Sequence, residues 1–82
     1  MRVEFELLDI GAEAGNKIVV AFWHVEKDEE FVEGNDIMEV STNKATFNIS
    51  AISTGKLIKI LVEEGEPVEP GDAIAIIDIE DN

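Results

Sequence analysis

The chain has 82 residues, enough for one domain with a modest core, and its 45% apolar content runs along the whole length, which fits neither a disordered tail nor a coiled coil. Six basic against 19 acidic side chains give a formal charge of −13, a field that repels phosphate backbones and anionic lipid surfaces and so argues against nucleic acid and membrane partners. Without cysteine there are no disulfides, thiolate metal sites or thiol nucleophiles.

A single domain over residues 1–82 is expected. The apolar run Ile18 to Trp23 is too short to span a bilayer, and Glu4 and Glu6 interrupt the stretch where a signal peptide needs an apolar run. The chain is therefore expected to stay soluble and unexported, in the cytoplasm or, in a eukaryote, the mitochondrial matrix.

In chain order, two-residue periodicity predicts strands at Val3 to Leu8, Lys17 to Val25, Ile37 to Ser41, Ala45 to Ile49, Gly55 to Val62 and Ala73 to Ile79. Turn chemistry separates them at Gly11 to Gly15, Glu33 to Asp36 and Pro67 to Asp72, where Pro70 and Gly71 suit the centre of a type II turn. Short bridging pairs are expected around Phe31 and Val68. Helical spacing is poor throughout.

Shifting the sequence by 37 residues brings two halves into register without a gap. Val20 falls on Leu57, Ala21 on Ile58, Trp23 on Ile60, Val25 on Val62, Phe31 on Val68, Gly34 on Gly71, Ile37 on Ile74 and Val40 on Ile77. Two copies are too few for a solenoid, so each half is expected to cover the apolar face of the other. The expected fold is all-β: a flattened barrel or sandwich of two small antiparallel sheets with an internal pseudo-twofold, a barrel-sandwich hybrid. Trp23, Val25, Phe31, Val40, Ile60, Val62, Val68 and Ile77 are the expected core, with Ala21, Trp23 and Val25 sharing one face of their strand, as Ile58, Ile60 and Val62 do of theirs.

Between the repeats, Val40-Ser41-Thr42-Asn43-Lys44-Ala45-Thr46-Phe47 reads as two strands joined by a polar break, with Asn43 and Lys44 at a hairpin tip. Asn tolerates unusual backbone angles and would give the tip a sharp apex. Most exposed lysines on turns only keep the surface solvated. Lys44 differs by lying at the junction of the two copies, on a hairpin expected at the end opposite both termini.

The first half carries Trp23, Val25, Gly34, Ile37, Val40, Thr42, Asn43, Lys44 and Ala45; the second carries Ser50 to Thr54, Gly55, Lys56, Leu57 and then Val62, Glu63, Glu64, Gly65 and Glu66. In these residues nearly the whole chain resembles the lipoyl domains of 2-oxo acid dehydrogenase acyltransferases, whose first half ends Glu-Thr-Asp-Lys-Ala. The resemblance implies a lipoyl carrier domain with no catalytic residues of its own. Lipoic acid would be attached covalently to Lys44, with Thr42, Asn43 and Ala45 as flanking recognition residues. Its implied partners are a lipoylating enzyme, a thiamine diphosphate-dependent 2-oxo acid dehydrogenase and dihydrolipoyl dehydrogenase, and the isolated domain is expected to be monomeric. The loop bearing Gly11, Glu13 and Gly15 corresponds to a partner-recognition loop of that family.

The pattern departs in two places. Ser41 and Asn43 replace the acidic pair beside the lysine, and Asp28 stands where the first acidic turn has glycine, although the second copy keeps Gly65. Either the first turn is shaped differently, or Asp28 sits in a strained or hydrogen-bonded conformation. Two alternatives share the fold: a biotin carrier, against which Asn43 and Ala45 speak because that lysine lies between methionines, and an unmodified scaffold module, against which the retention of Lys44 in its full frame speaks.

His24, the only histidine, has no second nitrogen or sulfur ligand in sequence and is assigned neither a metal nor a catalytic role. The acidic turns lack the alternating oxygen ligands of a calcium loop. The Asn48-Ile49-Ser50 sequon reads as coincidence in a chain without a secretory signal. Phe22 falls on Lys59 in the repeat and is expected on an outer face, as a stray exposed aromatic or part of a docking patch.

Overall fold

A computed structural model describes residues 1–8 and 17–80. Among them are eight strands: β1 Arg2–Glu6, β2 Ile18–Trp23, β3 Glu30–Phe31, β4 Asp36–Ser41, β5 Thr46–Ser50, β6 Gly55–Ile60, β7 Pro67–Val68 and β8 Ala73–Ile79. They form two antiparallel sheets of four, ordered β1-β8-β6-β3 and β5-β4-β2-β7. The all-β expectation and the bridging pairs at Phe31 and Val68 agree with this architecture.

The repeat is structural as well as sequential. A shift of 37 carries β2 onto β6, β3 onto β7 and β4 onto β8, whereas β1 lies 44 residues before β5 because the longer connection comes after β1. Hydrogen bonds cross between halves in matched pairs. Val20 N–H donates to Glu66 O at 3.0 Å while Gly65 N–H donates to Val20 O at 2.8 Å; Leu57 N–H donates to Glu29 O at 2.9 Å while Asp28 N–H donates to Leu57 O at 2.7 Å.

Strict alternation fails at four β-bulges, and this corrects the expected faces. The register of β2 against β4 shifts between Val20 and Phe22, and that of β6 against β8 between Leu57 and Lys59. A bulge sets two residues against one and reverses the parity of the strand beyond it. Val20 and Trp23 therefore both face the core while Ala21 is exposed; Leu57 is buried and Ile58 only partly so. Equivalent shifts at Ile37 and Ile74 bury Ile37 beside Met38 and Ile74 beside Ala75. Six of the eight expected core residues are fully buried, whereas Ile60 and Val62 pack at its margin. Trp23 ties the halves together: its backbone N–H donates to Glu64 Oε2 at 3.0 Å and its indole Nε1 to Val62 O at 2.9 Å.

Four turns share one design. In 26–29, 32–35, 63–66 and 69–72 the last residue's N–H donates to the first residue's carbonyl, at 2.9 to 3.1 Å. The side chain of that last residue, Glu29, Asn35, Glu66 or Asp72, accepts the first residue's N–H in return. The third residue of each has positive φ, which is the requirement of a type II turn and agrees with the reading of Pro70 and Gly71. Three of these third positions are glycine; the first turn keeps the same shape by holding Asp28 at φ 70°. Aspartate tolerates that region better than a residue without a short polar side chain.

Sheet A, the β1-β8-β6-β3 sheet, has a row of alternating charge across its four strands: Arg2, Asp78, Lys56 and Glu30 are successive partners. The N-terminal ammonium bonded to Asp78 at 2.8 Å, aided by Arg2 and Lys56 and opposed by desolvation, holds this carboxyl below the usual range.

In urea denaturation, Gly65→Ala should cost about 1–2 kcal/mol, because the position is left-handed and a Cβ there meets nothing, whereas Asp28→Gly should stabilise by about 0.5 kcal/mol. The stability that Asp78 contributes is present above the ordinary carboxylate range and is lost as pH falls through its depressed pKa. Thermal melts of Asp78→Asn across the acid range should show a shallower loss of stability than the parent.

Candidate functional site

The hairpin of β4 and β5 positions Lys44. Val40 pairs with Phe47 and Ser41 with Thr46, so the strands remain in register up to the last pair. Beyond it Thr42 N–H donates to Ala45 O at 2.8 Å. The Thr42 hydroxyl accepts both Lys44 N–H and Ala45 N–H, each at 3.2 Å. A turn of this length ordinarily closes with the last N–H on the first carbonyl; here the threonine oxygen takes that N–H and a second one.

This corrects the role expected of Asn43. Among the described residues Asp28 is the sole non-glycine with positive φ, so Asn43 adopts ordinary backbone angles and the apex owes its shape to Thr42. Asn43, Lys44 and Ala45 are all exposed, and Thr42 is half-buried. Lys44 thus stands on a braced four-residue turn, with its side chain at the surface.

The tip lies far from Met1 and Glu80. The five residues of β5 span roughly 17 Å at about 3.4 Å each. At its base the chain continues to Thr54, whose carbonyl accepts Glu80 N–H at 3.0 Å, and Met1 binds Asp78 and Ile79 at the same end. The described residues measure 38 × 21 × 18 Å, so the hairpin tip and the end that holds Met1 and Glu80 lie at opposite ends of an elongated body.

The two ends also differ in charge. The row nearest the tip, related by the pseudo-twofold to Arg2, Asp78, Lys56 and Glu30, consists of Thr46, Ser41, Val19 and Pro67. From Val40 through Gly55 the sequence holds one charged residue, Lys44. The strand row beneath the amine is therefore uncharged, in a protein that is strongly acidic as a whole. The ungapped shift of 37 pairs three of these four positions but not Arg2 with Thr46, because β1 and β5 are related by 44.

Gly11, Glu13 and Gly15, expected to form a partner loop, lie outside the described residues. Phe22 is on the outer face, 49% exposed, its ring edge-on to His24 at 5.0 Å.

Comparison with known proteins agrees with the geometry. Residues 4–77 match the biotin/lipoyl family described as "biotin-requiring enzyme". The chain is 38% identical over 65 residues to the pyruvate dehydrogenase complex protein X component of Saccharomyces cerevisiae, covering 77% of this chain and 16% of that protein. It is 33% identical over 78 residues to the dihydrolipoyllysine-residue acetyltransferase component of the Bacillus subtilis pyruvate dehydrogenase complex, covering 95% and 17% respectively. The chain thus spans about a sixth of the length of these relatives.

Two solved structures share the fold. The lipoyl domain of the Azotobacter vinelandii 2-oxoglutarate dehydrogenase complex superposes with a TM-score of 0.74 at 21% identity, over 93% of this chain and 95% of that one. A single-chain long-chain acyl-CoA carboxylase superposes with a TM-score of 0.77 at 14% identity, over 99% of this chain and 7% of that one. Repeat, paired sheets, lysine hairpin and family match converge: the chain belongs to the biotin/lipoyl family of small cofactor-carrier domains.

Proposed function

We propose that this domain carries lipoic acid on Lys44 and works as a mobile substrate arm in a 2-oxo acid dehydrogenase-type complex. The observation that carries the reading is an exposed lysine at the tip of a braced hairpin, in the frame Thr42-Asn43-Lys44-Ala45. A covalent arm needs an accessible primary amine and room around it, and the small or uncharged neighbours of Lys44 leave that room. Relatives named for a dihydrolipoyllysine residue favour lipoate, and flanking residues other than methionine speak against biotin.

Attachment joins Lys44 Nζ to the lipoyl carboxyl as an amide, so one positive charge is lost and the net charge goes from −13 to −14. The attached dithiolane supplies reversible disulfide and acyl-carrying chemistry. The protein holds the arm's root still, raising the effective concentration of the bound group at successive partner sites. A lipoylating enzyme, a thiamine diphosphate-dependent dehydrogenase and dihydrolipoyl dehydrogenase are the proposed partners, with the segment of Gly11, Glu13 and Gly15 contributing to recognition. The proposed location that goes with these partners is the bacterial cytoplasm or the mitochondrial matrix. Among the described residues no helix is long and apolar enough to cross a membrane.

Incubation with lipoate ligase, ATP and lipoic acid should add one lipoyl increment to the intact mass, located on Lys44 by peptide mapping, with an anodic shift on a native gel. Lys44→Arg should remain unmodified with an unchanged melting temperature. A biotin increment under biotin ligase, with none under lipoate ligase, would replace this reading by the biotin carrier; no increment under either would leave the scaffold module. Thr42→Val removes the acceptor of two tip N–H groups and should lower the modification rate severalfold, while global stability falls by about 1 kcal/mol at most; amide exchange at Lys44 and Ala45 would report the loosened turn.

A further inference from the structure

The internal repeat provides its own control for the surface beside Lys44. β1 and β5 are pseudo-twofold mates, and each is the outer strand of its sheet. Their registers match position for position: Arg2 with Thr46, Val3 with Phe47, Glu4 with Asn48, Phe5 with Ile49 and Glu6 with Ser50. The core-facing positions stay apolar in both strands. The outward positions are charged in β1 at all three places and uncharged in β5 at all three.

An outer strand leaves a row of backbone N–H and C=O groups unpaired, and proteins commonly protect such edges with charge. β1 is protected in this way. β5 is not, although folding imposes the same demands on both. The β5 edge is also regular, because the bulge in this hairpin places its extra residue on β4. The bonds made by Ala45 to Thr42 and by Ala51 to Gly34 and Asn35 face β4 at either end of the strand. By alternation the main-chain groups of Thr46, Asn48 and Ser50 point away from the sheet. Among the described residues, β4 is the only strand paired with β5.

We infer that the β5 edge, Thr46 to Ser50, is a docking strand onto which the enzyme that loads Lys44 lays an extended segment of its own, continuing the sheet. This rests on the lipoyl-carrier reading of Lys44. The loading enzyme must bring its active site to Nζ itself, whereas later partners act chemically at the far end of the attached arm. β5 begins two residues after Lys44, so an added strand ends beside the amine. Strand addition binds through backbone hydrogen bonds and needs no charge on the edge, which suits a platform where Ser41 and Asn43 provide none. A second copy is the weaker occupant, since two chains of −13 repel.

The test measures lipoylation by lipoate ligase with ATP and lipoic acid in intact domains. The variants are Asn48→Pro, Glu4→Pro on the mate strand, and the double variant Thr46→Arg/Asn48→Glu, which installs the residues of β1 on β5. Asn48→Pro deletes one outward N–H without removing a bond to β4, and proline is tolerated at such edge positions. It should lower kcat/KM about tenfold, the scale of one or two main-chain hydrogen bonds, with kcat at saturation unchanged and Glu4→Pro behaving as the parent. The double variant should fall similarly at high salt, and it decides the matter if Asn48→Pro does not fold. Parental kcat/KM in a folded Asn48→Pro or in the double variant would overturn the docking strand while leaving the carrier reading intact. Failure of the parent chain to be lipoylated would overturn both. A concentration-dependent dimer in sedimentation that Asn48→Pro dissolves would assign the edge to a second copy and overturn the enzyme as its occupant.

Discussion

Everything in this fold depends on the bonds by which each half completes the other. Val20 in the first copy and Leu57 in the second hold equivalent places, and each exchanges backbone hydrogen bonds with the acidic turn of the opposite copy. Either half alone, four of the eight strands, would pair only two of them, β2 with β4 or β6 with β8, which is marginal at best. Joined, they bury an uninterrupted cluster from Phe5 to Ile77. Trp23 reinforces the joint asymmetrically, with its indole bonded to Val62 O and its backbone to Glu64.

A body held together at its middle suits a carrier. The hairpin of Lys44 is anchored at its base, where Asn35 and Ala51 bond and Ile49 enters the core, and it is closed at its tip by Thr42. The tip is therefore a fixed root, and whatever reach the domain requires comes from the attached arm. Rigidity in the platform keeps the effective concentration of a tethered group high at sites within its reach.

Pseudo-symmetry also separates what folding demands from what it leaves open. Positions that stay apolar in both copies, such as Val40 with Ile77 and Ile37 with Ile74, answer to the core. Asp28 against Gly65 shows that the turn's left-handed angle is demanded while the side chain is negotiable. Phe22 against Lys59 and Thr46, Asn48 and Ser50 against Arg2, Glu4 and Glu6 are positions where the fold accepts either chemistry. There the choice is free to serve other ends, and on β5 it falls beside Lys44.

The sequence by itself determined the strand content, the repeat, the turn at Pro70 and Gly71 and the place of Lys44 on a hairpin, because these rest on local period, local turn chemistry and a shift visible in one dimension. Only the tertiary structure decided which faces turned inward. Bulges at Ala21, Ile58, Ile37 and Ile74 reverse parity, and a bulge exists only relative to the register of a partner strand, which the local period does not carry. The role of Thr42 was likewise hidden, since a hydroxyl closing a turn looks in sequence like any polar loop residue. The bare edge of β5 required knowing that β1 is its mate, a relation displaced by the longer connection after β1. That is a fact of packing, fixed only when two halves that cannot bury themselves alone come together.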